Sequence, residues 1–278
     1  MTIAIDQTTS IELLQARYGE PVAQAAEINL TLRDLLAHRS IRSYLSDPLP
    51  EGTLELLVAA AQSASSSSNL QTWSVVAVSD AEKKARLAEL AGGQGHIRQA
   101  PLFLVWVADL ARPAYTAAER ALPHAALDYT EMFLVAAIDA SLAAQNAAVA
   151  AEALGLGIVY IGALRNKPEQ VADVIGLPAR SFALFGMCVG YADPERPAAI
   201  KPRLPQAAVL HHDSYDLAGQ AEAIERYNVA MARFYAEQAI SVSGDWVEHS
   251  AKRVSGPEAL SGRDRLVEAL ANLGFELK

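Results

Sequence analysis

Apolar residues recur along this chain with two periods, and the two periods predict different elements. Continuous or alternating apolar runs, typical of strands, cover Trp73–Val78, Leu102–Ala108, Gly157–Leu164 and Phe182–Tyr191. The second of these runs is nearly uninterrupted between Pro101 and Asp109, so we expect a central strand buried on both faces. About four strands among many helical segments predict an α+β fold in which helices surround one small sheet.

Helical segments are marked by apolar positions three or four residues apart and by signals at their ends. Ser79 with Glu82 three residues later has capping-box spacing and predicts a helix that Gly92 and Gly93 close. Asn166 and Pro168 open another helix, which Gly176 ends. The remaining predicted helices are Asn29–Leu36, Thr53–Ser63, Asp128–Leu154, Leu217–Ala239 and a last one near Arg263–Leu273.

The first 26 residues predict an appended helix or arm. Ile11, Leu14 and Tyr18 fall at helical spacing, and Pro21 ends the run. We therefore expect an N-terminal arm over residues 1–26. Residues 27–278 are expected to form a single domain that includes a C-terminal helical extension.

A stripe of small side chains follows the longest predicted helix. Small residues at helical spacing let two helices approach closely, and this pattern leaves two interpretations open. The helix is either buried within one chain or lies at a subunit interface. The stripe comprises Phe133, Ala136, Ala137, Ala140, Ala144, Ala147, Ala148 and Ala151.

Composition and charge narrow the class of protein. The net charge of -9 disfavours a nucleic-acid partner, because an acidic surface repels phosphate backbones. The most apolar region, residues 132–164, is interrupted by polar residues and glycines, so no membrane span is expected. The first nine residues lack the basic and apolar regions of a secretory signal, which predicts a cytoplasmic protein. Cys188 is the single cysteine, expected to be a small buried hydrophobe.

Familiar catalytic motifs are missing from the sequence. Gly155 and Gly157 follow a helix and lack the third glycine of a dinucleotide-binding loop. His211 and His212 have no spaced partner, so no metal site is predicted. There is no Walker A loop and no Gly-x-Ser-x-Gly elbow. With no catalytic residues of its own in view, the chain fits an enzyme whose chemistry belongs to a cofactor.

Two basic clusters indicate an anion site. His38, Arg39 and Arg42 flank Ser40, while Lys201 and Arg203 alternate around a proline. In an extended segment, residues two apart point to the same side, so both cations of the second cluster can face one ligand. Arginine gives bidentate contacts to phosphate. Each cluster alone is more often a solvated basic patch, so spacing indicates a phosphate ligand only weakly.

The order of short motifs along the chain resembles the FMN-dependent nitroreductase superfamily, in particular the oxygen-insensitive NADPH nitroreductases and flavin reductases. The resemblance covers roughly residues 30–240. It is carried by His38-Arg-Ser-Ile-Arg42, Ser65-Ser-Ser-Ser68 with Gln71, Gly92-Gly-Gln94, Ala144-Gln-Asn146, Gly155-Leu-Gly157, Val159-Tyr-Ile-Gly-Ala-Leu-Arg165, Leu184-Phe-Gly-Met-Cys-Val-Gly190 and Lys201-Pro-Arg-Leu-Pro205.

The resemblance implies a mainly antiparallel sheet in an intertwined homodimer with FMN at the interface, which favours the interface interpretation of the small-residue stripe. It implies that no side chain is the catalyst, since the chemistry belongs to N5 of FMN. Ser68 and Asn69 would border the acceptor pocket. The implied FMN-binding residues are His38, Arg39, Ser40, Arg42, Ser66, Ser67, Gln94, Tyr160, Ile161, Gly162, Ala163, Lys201 and Arg203.

The implied reaction is a ping-pong two-electron transfer. NADPH or NADH would deliver a hydride, and a small oxidised acceptor such as a nitroaromatic, a quinone or a flavin would then take the electrons. Two features depart from the family pattern. Asn69 stands where relatives often carry an aromatic residue. The stretch Ser241–Trp246 lacks the arginines thought to hold the 2′-phosphate of NADPH, for which Arg253 and Arg263 are possible substitutes.

Two other functions remain open from the sequence. The chain could be a flavin-binding or flavin-delivering protein whose turnover is incidental, because the basic residues support binding in either case. It could also be an enzyme of the same fold with other flavin chemistry, such as reductive dehalogenation. Steady NAD(P)H consumption with an added acceptor separates the first alternative from the oxidoreductase.

Overall fold

The computed structural model describes residues 4–5 and 7–278, and within them the chain divides into two compact units. The first unit contains the described residues up to Arg39 together with Ala198–Ala259. The second unit contains Ser40–Pro197 and Leu260–Lys278. The division into a 26-residue arm and one domain stays a prediction.

The first unit is mostly helical. A two-stranded antiparallel ribbon pairs β1 with β2, with Ile5 opposite Ile28. Asn29 caps the second helix, because its Oδ1 accepts a hydrogen bond from the backbone N–H of Leu32 at 3.0 Å. The elements are β1 (Ala4–Ile5), α1 (Gln7–Tyr18), β2 (Ile28–Asn29), α2 (Leu30–Leu36), α9 (Ala221–Glu237) and α10 (Trp246–Arg253).

The second unit carries the sheet and the remaining helices. Its strands are β3 (Trp73–Val78), β4 (Leu102–Asp109), β5 (Gly157–Ile161) and β6 (Ser181–Gly190). Its helices are α3 (Thr53–Gln62), α4 (Ala81–Leu90), α5 (Gly95–Gln99), α6 (Ala111–Glu119), α7 (Thr130–Ala153), α8 (Pro168–Ile175) and α11 (Leu266–Asn272).

One four-stranded sheet confirms the predicted α+β class. Its strands run in the order β3-β4-β6-β5, and every pair is antiparallel. All eight residues of β4 are buried, as the uninterrupted apolar run predicts. Trp106 of β4 faces Val75 in the register, and Cys188 of β6 faces Val159. The sheet therefore supplies the centre of the core in this unit.

The alanine stripe of α7 packs inside the second unit. The stripe alanines from Ala144 to Ala151 form a buried cluster with Leu57 of α3 and Trp106 of β4. Ala136 and Ala140 belong to a second buried cluster that includes Phe182. The interpretation of this stripe as a subunit interface is therefore wrong, and the intrachain alternative is correct. The opposite face of α7 is apolar and exposed instead; its residues are Leu134, Ile138 and Leu142.

α7 is also the one helix, within residues 4–5 and 7–278, that is long and apolar enough to cross a membrane. Its buried face and the buried carboxylate of Asp139, 2% exposed, instead fit a helix packed in a protein core. The sequence expectation of no membrane span is consistent with this packing.

The chain end packs beside the start of α7. The ring of Phe275 lies 5.4 Å from that of Phe133 in an edge-to-face contact, and Phe275 is 3% exposed. Asp128 accepts hydrogen bonds from Arg180 at 2.6 Å and from Lys278 at 3.1 Å, and these bonds lower the pKa of its carboxyl group. The last helix thus completes a second apolar cluster in this unit.

Several boundaries differ from the sequence predictions. The capping box at Ser79 is wrong, because Asp80 caps α4 by accepting from the N–H of Lys83 at 2.8 Å. The predicted helix over Leu217–Ala239 begins later, at Ala221, after a short 3₁₀ turn. α5, α6 and α10 have no counterpart in the sequence predictions, because they are short and lack a long apolar pattern.

Candidate functional site

The first basic cluster begins where α2 ends. His38 is half-buried and Arg39 is exposed. Arg17, in the last turn of α1, holds this chain segment by its backbone. Its Nη2 donates to the carbonyl oxygens of Leu36 and His38, both at 2.8 Å, and its Nη1 donates to the carbonyl of Lys201 at 3.2 Å. Arg17 therefore joins the segment that contains His38 and Arg39 to the segment that contains Lys201 and Arg203.

The second basic cluster is built around a buried proline. Pro202 is buried, and its carbonyl accepts a hydrogen bond from the Tyr227 hydroxyl at 2.9 Å. Lys201 and Arg203 on either side are exposed, and Lys201 Nζ lies 5.2 Å from the centre of the Tyr235 ring. This segment thus presents two cations to solvent from a fixed backbone.

In the second unit, the chain from Ser40 to Arg42 runs beside β5. The Ile41 N–H donates to the Ile158 carbonyl at 2.8 Å, and Ser40 forms a parallel bridge with the same residue. A Cβ on Gly157 would lie 2.5 Å from Ile41 Cγ1, so only glycine permits this approach. Arg42 is exposed at the end of this fixed segment.

Arg42 influences a neighbouring imidazole. Burial, and then the charge of Arg42, lower the pKa of His96. Its Nε2 is buried and has no hydrogen-bond partner among the described residues. Cys188 is fully buried next to it, and burial raises the pKa of the thiol to about 12. The prediction of an inert buried cysteine is confirmed.

The serine loop, residues 65–69, is anchored by a buried carboxylate. Asp139 Oδ2 accepts from Ser66 Oγ at 2.7 Å and from both the N–H and the hydroxyl of Thr72 at 3.1 Å. Asp139 Oδ1 accepts from the Ser67 N–H at 3.3 Å. The Ser66 hydroxyl also accepts from the Gln71 N–H at 2.8 Å. Hence the hydroxyl of Ser66 serves the loop itself.

The same loop holds a strained backbone. Ser68, Asn69 and Gln71 have φ values of 48°, 54° and 51°, in the left-handed region that non-glycine residues seldom occupy. Ser67, Ser68 and Asn69 are all exposed. Strain of this kind persists only where surrounding contacts over-determine the conformation, and the hydrogen bonds to Asp139 supply those contacts.

Gln94 lies at a tight turn between α4 and α5. Gly92 and Gly93 both have φ of +81°, which glycine adopts without strain. The Gln94 amide donates to the carbonyl of Ala91 at 3.1 Å, and its side chain is half-buried. The side chain is therefore held close to its own turn.

The end of β5 exposes one ring and hides its neighbour. The ring of Tyr160 is 36% exposed and lies edge-to-face on Phe185 at 5.3 Å. Ile161 is buried, so only its backbone can meet a ligand. Gly162 and Ala163 are half-buried at the start of a 3₁₀ turn. Burial lowers the pKa of Arg165, which donates to the Leu184 carbonyl and closes this turn.

Each unit gathers its own share of the predicted site residues. The first unit joins His38 and Arg39 to Lys201 and Arg203, and the second places Ser40 and Arg42 along β5. The roles of all these residues toward a ligand stay predictions. Sequence reasoning missed Arg17 and Asp139. Asp139 left one signal, as the only charge in α7 between Glu131 and Glu152.

Two family models match consecutive parts of the chain. A model of the nitroreductase family matches residues 35–191, which is more than half of the chain, and a model of the family's C-terminal domain matches residues 201–278. The chain belongs to the nitroreductase family. Residues 1–34, which include α1 and Arg17, precede both matched regions.

Individual nitroreductase relatives cover most of the chain. It is 37% identical to an NADPH-flavin oxidoreductase of Vibrio harveyi over 89% of this chain and 99% of that protein. It is 37% identical to an oxygen-insensitive NADPH nitroreductase of Salmonella typhimurium over 79% of this chain and 88% of that protein. The solved structure of the Vibrio harveyi NADPH:FMN oxidoreductase in complex with NAD+ matches with a TM-score of 0.79 and 35% identity, over 89% of this chain and 99% of that one.

Proposed function

We propose that this chain is an FMN-dependent NAD(P)H oxidoreductase that passes two electrons at a time to small oxidised acceptors. Family membership and the named activities of its relatives support flavin-based reduction. The observation that carries the proposal is the joining of His38 and Arg39 to Lys201 and Arg203 by Arg17, because it turns two weak sequence signals into one cation cluster.

The donor set fits FMN. A phosphomonoester carries nearly two negative charges and accepts several hydrogen bonds, so it selects clustered guanidinium and ammonium groups. Arg39, Lys201 and Arg203 are exposed in the first unit, and Arg42 is exposed in the second. Tyr160, which is 36% exposed, offers a flat surface for an aromatic ring system.

The residues of the chain supply binding, orientation and charge. We assign the phosphate and ribityl chain to His38, Arg39, Ser40 and Arg42, with Lys201 or Arg203 beside the phosphate or the N1 edge of the ring. A cation at that edge stabilises the negative charge that develops on reduction. The backbone of Ile161 and Gly162 would meet the ring. When bound, FMN supplies the hydride-accepting and electron-donating chemistry that these residues only position.

The serine loop would border the acceptor. Ser67, Ser68 and Asn69 are exposed on a backbone that Asp139 fixes. A polar amide at Asn69 offers hydrogen bonds to nitro or quinone oxygens, whereas an aromatic residue would offer stacking. We therefore propose nitroaromatics, quinones and flavins as acceptors, with no narrow selection among them.

NADPH is the proposed electron donor, because the relatives are named as NADPH enzymes. The chain lacks arginines over Ser241–Trp246, and the two possible substitutes are both engaged. Arg253 donates to the carbonyl of Ala259, and Arg263 Nε donates to Asn166 Oδ1 at 2.9 Å. A kcat/KM for NADH equal to or above that for NADPH contradicts this preference.

A homodimer in the cytoplasm completes the proposal. The exposed apolar face of α7, formed by Leu134, Ile138 and Leu142, supports a second copy of the chain as the partner. Covering an apolar surface of this kind lowers the free energy of the protein in water.

The deciding experiment is purification without added flavin, followed by visible spectroscopy and identification of any released chromophore. We expect about one FMN per chain, and NADPH oxidation that depends on an added nitroaromatic or quinone. A colourless protein that also fails to bind added FMN overturns the proposal. Bound FMN without acceptor-dependent NADPH oxidation instead favours a flavin carrier.

A further inference from the structure

Arg17 connects two chain segments that are far apart in sequence. Its guanidinium donates to the carbonyls of Leu36 and His38 on one side and to the carbonyl of Lys201 on the other. Its own carbonyl accepts from the Arg203 N–H at 2.8 Å. One residue of α1 thereby fixes the backbone on both sides of the cation cluster.

The chain after Arg17 is packed as tightly. Gly19 has φ of +66°, and a Cβ there would lie 2.9 Å from Ala230 and 3.1 Å from Pro202. Glycine alone satisfies both the left-handed backbone and the close approach. Gln206 donates to the Tyr18 hydroxyl at 3.0 Å, and Arg226 pairs with Glu20 at 3.4 Å. Residues 17–20 are thus an integral part of the first unit.

Clustering cations costs free energy, because like charges repel. Arg39, Lys201 and Arg203 are all cations, and their long side chains are all exposed. Arg17 fixes the backbone of both segments through their carbonyl oxygens, and Arg203 Nη1 donates to the carbonyl of Lys201 at 3.1 Å. A phosphate then meets a preorganised set and does not have to order two loops itself.

We propose that Arg17 is a positioning residue for phosphate recognition, and that the N-terminal helix α1 is a device this chain adds to the family's flavin site. The inference rests on the proposed function, since it assumes that the cation cluster holds the FMN phosphate. It concerns residues that precede both regions matched by the family models. Arg17 therefore affects the binding of the phosphate of FMN and not the binding of its ring.

The test compares FMN with riboflavin, which has the same ring and lacks the phosphate. Apoprotein of the full chain is titrated with each flavin for the wild type, Arg17→Met and Arg17→Lys. We expect Arg17→Met to raise the Kd for FMN about tenfold, while the Kd for riboflavin changes less than about twofold. Arg17→Lys keeps the positive charge but loses the planar set of guanidinium donors. Its Kd for FMN is therefore expected to lie between that of the wild type and that of Arg17→Met.

Arg226→Met is the matched control. Arg226 is a cation of the same unit that also holds residues 17–20, through Glu20, and its other ion pair is with Glu222 of its own helix. We expect wild-type Kd values for both flavins. If the ratio of FMN to riboflavin affinity is unchanged in Arg17→Met, the assignment is overturned. An equal loss of both affinities is such a case and marks a purely structural role.

Two further outcomes are decisive. If Arg17→Met fails to fold, the ratio is read from Arg17→Lys, and a wild-type ratio there overturns the assignment. A wild-type protein that binds neither flavin contradicts the proposed function itself. A wild-type protein that binds FMN normally, with both Arg17 variants unaltered, contradicts only the role of Arg17.

Discussion

Single residues with no direct place in the chemistry hold the candidate site together. Asp139 is the clearest example, because four donors from three residues converge on one buried carboxylate. A buried charge is tolerated only where it is fully hydrogen-bonded, and here the hydrogen bonds also define the path of the serine loop. The hydrogen bonds that stabilise this carboxylate are therefore the same ones that fix the conformation of the serine loop.

We predict that Asp139→Asn lowers the free energy of unfolding by about 2–4 kcal/mol, because an amide removes one acceptor and places a donor against backbone N–H groups. Chemical denaturation of the apoprotein measures this directly. Asp173→Asn, at an exposed position of α8, is the control and is expected to stay within about 0.5 kcal/mol of wild type. A stability of Asp139→Asn equal to that of the control would show that the loop does not depend on the carboxylate.

Elements carry the site as well, through the contact between β5 and the segment that contains Arg42. Gly157 allows Ile41 to press against the strand, and the Tyr44 hydroxyl donates to the Ile41 carbonyl at 2.7 Å from the other side. The position of Arg42 is consequently set by packing on a strand and not by its own side-chain bonds.

We predict that Gly157→Ala costs about 1–3 kcal/mol of stability, because the added methyl group overlaps Ile41. The double variant with Ile41→Ala should lose less stability than the sum of the two single losses, since the two substitutions share one space. Gly95→Ala is the matched control, as no atom lies within 4 Å of its Cβ position. Thermal or urea unfolding of the wild type, the two single variants and the double variant gives the coupling energy. Strictly additive losses would contradict the contact.

The sequence predicts elements well where periodicity is long or strong. β4 and α7 are examples, because a run of eight buried residues or of six turns leaves little ambiguity. The two-residue strands β1 and β2 and the polar helices α5 and α10 carry no such pattern. The site motifs can be recognised in the sequence for a different reason, because they occur along the chain in the same order as in the nitroreductase family. Arg17 and Asp139 stay hidden because their partners lie far away in the sequence.

At the scale of the whole molecule, α7 presents an apolar surface to solvent as well as an apolar face to the core. The alanines of α7 are consumed inside the second unit, while Leu134, Ile138 and Leu142 are 49%, 56% and 44% exposed. Leucine and isoleucine at successive turns of one helix face favour burial against another surface. The proposed second copy of the chain is the partner that this face supports.

We predict that Ile138→Asp shifts the protein from dimer to monomer, because a carboxylate in a covered apolar surface has no partner for its charge. Sedimentation equilibrium across a range of concentrations measures the shift. Leu122→Asp, at an exposed leucine outside α7, should leave the mass unchanged. A wild-type protein that sediments as a monomer, or an Ile138→Asp variant that remains dimeric, would remove this face from the interface.

The alanine face of α7 also constrains how this protein can change over evolutionary time. Alanine is smaller than every residue except glycine, and the face is buried against Leu57, Ala61 and Trp106. Nearly every substitution there must add volume to a closed space, while glycine weakens the helix. Substitutions on this face can therefore change the side-chain volume almost only by increasing it. A larger residue can enter only after an opposing side chain has shrunk, so the two sides must diverge as a pair.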